Sequence, residues 1–194
     1  LPTKLLRINK KHLNLLNKRQ KESSISKAKV RRIALVTAIA NNYDELLIPN
    51  VIEDDVDYIC FTNTPLNNYG IWDIRPIPYF HPNPTKICRF VKLNLHLLLN
   101  DYEFVIWKDA NININKSCES WVNELVDNKK SLGVIRHPLR DNVFDEADEC
   151  KSLNKDDHEI IKKQINFYSK KRASLLKAGL IESNFMVIKF NDRE

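Results

Sequence analysis

The sequence predicts an α/β fold, with one Rossmann-like mixed sheet flanked by helices and preceded by a basic N-terminal helix. Three observations carry this. From residue 30 onward, apolar runs of strand length alternate with stretches of helical spacing. The 194 residues suffice for one domain of ordinary size, and not comfortably for two. Their composition, 43% hydrophobic and 29% charged, is that of a chain able to bury a core.

Leu5, Ile8, His12, Leu13 and Leu16 recur at helical spacing opposite Lys and Arg, so residues 4–21 read as a basic amphipathic helix. Ser23, Ser24 and Ser26 follow as a polar linker, which divides an arm over residues 1–32 from a domain over 33–194. Such an arm suits a membrane surface or, more often, a neighbouring domain. Val30 to Ile39 is the first strand, and Val56 to Thr62 is the second, stopped by Asn63, Thr64 and Pro65. Trp72 to Ile77 is a short third strand, where Pro76 marks an edge or a strand end. Thr85 to Leu99 is helical, with Ile87, Val91, Leu95 and Leu98 on one face. Glu103 to Trp107 is a strand, Ser117 to Val126 a helix capped by Ser117, and Leu132 to Arg136 a strand. Charged helices at 143–152 and 156–176 and a strand from Phe185 to Phe190 complete the pattern.

The net charge of +6 divides unevenly. Residues 1–32 hold 11 of the 31 bases and one of the 25 acids, which leaves 20 bases and 24 acids, a net of −4, in the rest. A nucleic-acid binder spreads positive charge over its folded face, so nucleic acid is not an expected partner. Only three glycines occur, Gly70, Gly133 and Gly179, which excludes a GxGxxG dinucleotide loop and a GxxxxGK phosphate loop. Cys60, Cys88, Cys118 and Cys150 are too sparse for a disulfide scaffold and too widely spaced for a zinc knuckle. A reducing, cytoplasmic location is expected, with membrane association through the arm as an added reading. No apolar run is long enough to span a bilayer.

In open α/β sheets, ligands bind beyond the carboxyl ends of the strands. After the first strand, Thr37, Tyr43 and Asp44 suit a base and ribose, or simply cap the next element. Asp109 and Asn111 follow an apolar strand and set two oxygen donors one residue apart, as a hard cation on a diphosphate requires. An exposed turn is the bland alternative for them. Lys86, Arg89 and Lys92 lie about one helical turn apart, and Arg89 and Lys92 are the two suited to a diphosphate leaving group. Arg136, His137, Arg140, Asp141 and Glu146 form the densest cluster of reactive types, just after a strand. His137 is a base or ligand by chemistry, although a lone histidine is more often a hydrogen-bonded structural residue. Glu182 is read as a loop acid able to meet an acceptor hydroxyl.

Taken in order, the segments 36–46, 56–62, 72–77, 107–112, 136–147 and 179–183 resemble the TOD/MUCI-type glycosyltransferase-like domain, over about residues 33–191. The resemblance implies a glycosyltransferase A-like fold acting on a nucleotide-sugar donor and a glycan acceptor, in surface or capsular polysaccharide synthesis. It implies that Thr37, Ala38, Tyr43 and Asp44 border the nucleotide and that Arg89 and Lys92 face the diphosphate. Asp109 and Asn111 take the place of a metal-binding Asp-x-Asp, with Mn²⁺ or Mg²⁺ as the expected cofactor. Arg136, Arg140 and Glu146 line the sugar and acceptor side, with Asp141, Glu182 and His137 as candidate catalytic groups. Ala40, Asn41 and Asn42 stand where relatives often carry glycine, which predicts a stiffer first loop. Such domains usually continue past the point where Glu194 ends this chain, so truncation at the C-terminus is expected. A metal-dependent hydrolase using Asp109, His137 and Asp141, and a catalytically silent sugar- or nucleotide-binding module, are the alternatives.

Overall fold

The computed structural model describes residues 31–64, 70–172 and 179–190, the side chains of Lys171 and Arg172 excepted. The expected basic helix at 4–21 lies outside the described residues. Strands β1 (Ile33–Ile39), β2 (Val56–Thr62), β3 (Asp73–Pro76), β4 (Phe104–Lys108), β5 (Leu132–Arg136) and β6 (Ile181–Lys189) form one sheet in the order β3-β2-β1-β4-β6-β5. Helices α1 (Pro84–Leu93) and α2 (Leu95–Leu98) precede β4, α3 (Cys118–Asp127) precedes β5, and α4 (Val143–Ser152) and α5 (His158–Arg172) precede β6.

The first four strands in this order are parallel, whereas β6 runs antiparallel to both β4 and β5. Every residue of β1 and β4 is buried, as expected of central strands covered on both faces. Side chains alternate between two apolar layers. Leu35, Cys60, Ile106 and Val187 pack beneath α3 with Val122 and Leu125, while Val36, Ile59, Val105 and Trp107 pack beneath α1 and α2 with Ile87 and Val91. Each layer removes large side chains from water at roughly 25 cal/mol per Å² of apolar surface, the main force holding the helices to the sheet.

Local sequence sets the element ends. The Asn83 side chain accepts from the backbone N–H of Thr85 and Lys86, and Pro84 sits at the first helical position, so α1 starts there. Ser117 caps α3 as predicted, and the Glu53 carboxylate accepts from Ser117 Oγ (2.7 Å) and from the N–H groups of Cys118 and Glu119. An anion at that end complements the helix dipole and ties the 45–55 loop to α3. The helix predicted over 85–99 breaks at Asn94, whose amide donates back to the Phe90 carbonyl at 2.7 Å.

The last strand differs most from expectation. It begins at Ile181, four residues earlier than predicted, because the 181–182 segment pairs with the end of β5. Opposite the single step from Val134 to Ile135, β6 advances four residues, from Met186 back to Glu182. Ser183, Asn184 and Phe185 are therefore extra residues relative to β5, an irregularity of the kind that re-aims side chains next to functional sites. Glu182 is consequently a strand residue and not a loop acid.

Candidate functional site at the carboxyl ends of β1 and β4

The chain leaves β1 toward β2 and β3 on one side, and β4 continues the sheet on the other, so strand order reverses between β1 and β4. Loops leaving neighbouring parallel strands in opposite directions open a crevice at that point. A cleft of about 380 Å³ lies there, walled by Ala38 and Ala40 of the β1 end, Cys88, Arg89 and Lys92 of α1, and Asp109 and Asn111 after β4.

Beyond β1 the chain turns sharply. Asn41 and Asn42 have φ of 54° and 52°, a region where asparagine is among the few side chains tolerated. Asn41 exchanges two hydrogen bonds with the Asn63 side chain (2.8 and 2.7 Å), and the Thr64 hydroxyl donates to Asn42 Oδ1 at 2.8 Å. This clasp joins the ends of β1 and β2 and presents Tyr43, 80% exposed, and Asp44 to the cleft. Thr37 is not brought to the cleft. It is fully buried, its partner across the β1–β2 ladder is Cys60 of the α3-side layer, and its Oγ1 has no hydrogen-bond partner.

Asp109 is held on three sides. Its N–H donates to the Asn184 carbonyl (2.7 Å), and its Oδ1 accepts from Trp107 Nε1 (2.8 Å) and from Lys92 Nζ (3.1 Å). Oδ2 has no partner among the described residues and the carboxylate stays 43% exposed, so one oxygen faces the cleft. Asn111 adds an exposed amide. These are hard oxygen donors, compatible with a divalent cation that takes its other ligands from phosphate and water. Among the described residues no group of three or more His, Cys, Asp or Glu side chains is placed to hold a metal by itself. Arg89, one turn from Lys92, is exposed and has no ion pair among the described residues. Lys86 does not reach the cleft.

Lys108 carries a role that its sequence position did not reveal. It is fully buried on the α3 side, donates to the carbonyls of Ala110 (3.1 Å) and Ile112 (3.0 Å), and lies 5.5 Å from the Trp72 ring centre. Burial lowers its pKa to about 8, against the opposing pull of Cys60, Asp109 and Asp44. An ammonium that binds two carbonyls of the 109–112 loop shapes the segment carrying Asp109 and Asn111. The only sequence signal was a lysine at the end of an otherwise apolar strand.

The segment after β5 forms a second polar cluster. His137 N–H donates to the Leu180 carbonyl, and its Nδ1 accepts from the N–H groups of Leu139 (3.2 Å) and Arg140 (3.0 Å). Nδ1 is thus engaged as an acceptor, while Nε2 lies 3.2 Å from Arg140 Nη2 and 3.6 Å from both Glu146 and Glu182. Arg140 Nε donates to Glu146 Oε2, and Asn184 Nδ2 donates to Glu182 Oε2 at 2.8 Å. Burial alone would raise the Glu146 carboxyl, but bonds from Arg140 and Cys150 outweigh it and hold the pKa below the ordinary value. Arg140, His137, Glu146 and Glu182 are thus brought together. Arg136 and Asp141 are not part of that group and form an exposed ion pair at 2.7 Å.

Residues 62–177, well over half of the chain, match the model of the TOD1/MUCI70 glycosyltransferase-like domain. The matched stretch contains Arg89, Lys92, Asp109, Asn111 and the 136–146 cluster, and it is narrower than the 33–191 resemblance. No curated protein matches the chain. With the family model covering well over half of the chain, including β3, β4, β5 and helices α1 to α5, the chain belongs to the TOD1/MUCI70 glycosyltransferase-like domain family.

Proposed function

We propose that the protein is a glycosyltransferase that moves a sugar from a nucleotide-sugar donor to a glycan acceptor in surface polysaccharide synthesis. The observation that carries the reading is the cleft at the strand-order reversal, where an acid and an amide face two cations beside an exposed aromatic ring. In this scheme Tyr43 and Asp44 meet the nucleoside, and Arg89 with Lys92 neutralises the departing diphosphate. Preorganised cations at a developing negative charge lower the barrier without reorganisation at the moment of reaction. Asp109 and Asn111 would hold Mn²⁺ or Mg²⁺, which would supply Lewis-acid stabilisation of the same leaving group. Lys92 sits on Asp109 and is drawn to the phosphate when a donor arrives. If the reaction inverts configuration, Glu182 takes the acceptor proton. It directly precedes Ser183, a residue of the cleft wall.

His137 is proposed as a positioning residue for Glu182 and Glu146, since its Nδ1 is already occupied by two N–H donors. A metal-dependent hydrolase would need activated water near Asp109, His137 and Asp141. Asp141 is engaged with Arg136 instead, so that reading has less support.

The test is a thermal-shift panel of UDP-, GDP- and CMP-sugars with and without Mn²⁺, followed by nucleotide-release assays on any hit. A shift for one nucleotide that Asp109→Ala removes is the expected result. Absence of any shift in the longest available form of the protein would overturn the proposal.

A further inference from the structure

A second hollow, of about 770 Å³, lies on the α3 face of the sheet, between α3 and the outer strand β5. Its volume is within the range of ligand sites. It shares a wall with the cleft. Along the loop after β4, Ala110 and Asn111 line the cleft and Ile112 and Asn113 line the hollow; along the irregular stretch of β6, Ser183 lines the cleft and Asn184 lines the hollow.

The lining is amphipathic and carries little charge bias. Trp121 stands against Phe185, with ring centres 4.7 Å apart, and Leu132 and Ile135 expose apolar surface at 53% and 45%. Around them are the amides of Asn113, Asn115, Asn128 and Asn184, each able to donate and to accept. Lys116, Lys130 and Glu124 add charges of both signs, so no strongly charged ligand is selected.

Asn184 adds an independent sign of a ligand. Its Nδ2 donates to Glu182 Oε2, and because a carboxylate only accepts, this contact fixes the amide orientation. Its Oδ1 is then buried with no hydrogen-bond partner. A buried acceptor left unmet is costly, and because this atom is closed to solvent a hydroxyl from the groove meets it only after a shift of this wall.

We infer that this groove is the binding site for a neutral oligosaccharide, the acceptor glycan. Its pyranose faces would lie on Trp121 and the apolar floor, and its hydroxyls would meet the asparagines and Asn184 Oδ1. The inference rests on the transferase reading of the neighbouring cleft, and it sets Asn184, the partner of Glu182, in the wall of the groove.

The experiment uses the full chain on an array of oligosaccharides cut from plant cell-wall and bacterial surface polysaccharides. Calorimetric titration then follows with whichever oligosaccharide is retained most strongly. Trp121→Ala removes the ring, and Leu132→Arg plugs the groove from a position that is 53% exposed. Thermal melts confirm folding of both, and all three proteins are also assayed for the nucleotide-dependent shift. Support is a retained oligosaccharide whose binding weakens at least tenfold in both variants, or in Leu132→Arg alone if Trp121→Ala does not fold. Glycan binding without any nucleotide shift would sink the donor proposal and leave the groove a carbohydrate site. The inference is overturned if no oligosaccharide is retained while the nucleotide shift is present, or if Leu132→Arg binds as well as wild type. A concentration-dependent dimer abolished by Leu132→Arg would also overturn it, making the groove a contact between copies.

Discussion

Asp109, Lys92 and Lys108 illustrate how much a residue's role depends on what surrounds it. Asp109 was legible as a candidate because an acid that ends an apolar strand must emerge at the carboxyl edge of the sheet. Lys108 was not, since nothing in its neighbours shows whether its ammonium reaches water or turns inward to two carbonyls. Lys108→Met removes a buried charge, which offsets part of the lost hydrogen bonding, so the net stability change should stay within ~2 kcal/mol. The freed loop should nevertheless cost at least tenfold in nucleotide affinity. Urea denaturation and nucleotide titration measured together separate the two effects.

Glu146 supplies the pH dependence at this scale. Its folded pKa lies below the unfolded value, so its stabilisation is full at higher pH and is lost as pH falls through the folded pKa. Glu146→Gln should cost ~1–2 kcal/mol at neutral pH through the weakened bond to Arg140. The deficit should shrink below about pH 4, where the unfolded carboxyl is already protonated. Denaturation curves at a series of pH values check the sign; a deficit growing toward acid would contradict it.

At the scale of elements, local chemistry predicted most boundaries. The strands Val56–Thr62 and Leu132–Arg136 and the helix Val143–Ser152 have the predicted limits, because each combines a periodic apolar pattern with a stop signal. The start of β6 was missed because Ile181 and Glu182 owe their strand conformation to pairing with β5, a non-local cause. The helix ends offer a direct test. After α3, Lys130 N–H donates to the Leu125 carbonyl and Lys129 N–H to that of Val126, a Schellman closure with Lys129 at φ 52°. After α4 the same closure places Asn154 at φ 49°. Lysine is the less suited of the two to a left-handed residue, so Lys129→Gly should stabilise the fold by ~1 kcal/mol. Asn154→Gly should change it by only a few tenths of a kcal/mol. Thermal melts of both variants test the ranking.

For the molecule as a whole, burial in the core removes two of the four cysteines, Cys60 and Cys118, from chemistry. All four are free, and burial pushes the thiols of Cys60 and Cys118 up to about 12. At pH 8 these two should react with a disulfide reagent no faster than the domain unfolds, and all four should react in concentrated guanidinium. Fast native labelling of either would mean that the core opens locally. The sequence by itself determined the α/β class, the order of nearly every element, and Asp109, Asn111, Arg89 and Lys92 as cleft residues. Those follow from periodicity and from strands that must end at one edge. Only the tertiary structure decided that Thr37 faces away from the cleft, that Lys108 turns inward, and that the 136–146 segment divides into a half-buried cluster and an exposed pair. The reason is that the face a side chain occupies beyond a strand end depends on register and on long-range partners, and neither is written in local pattern.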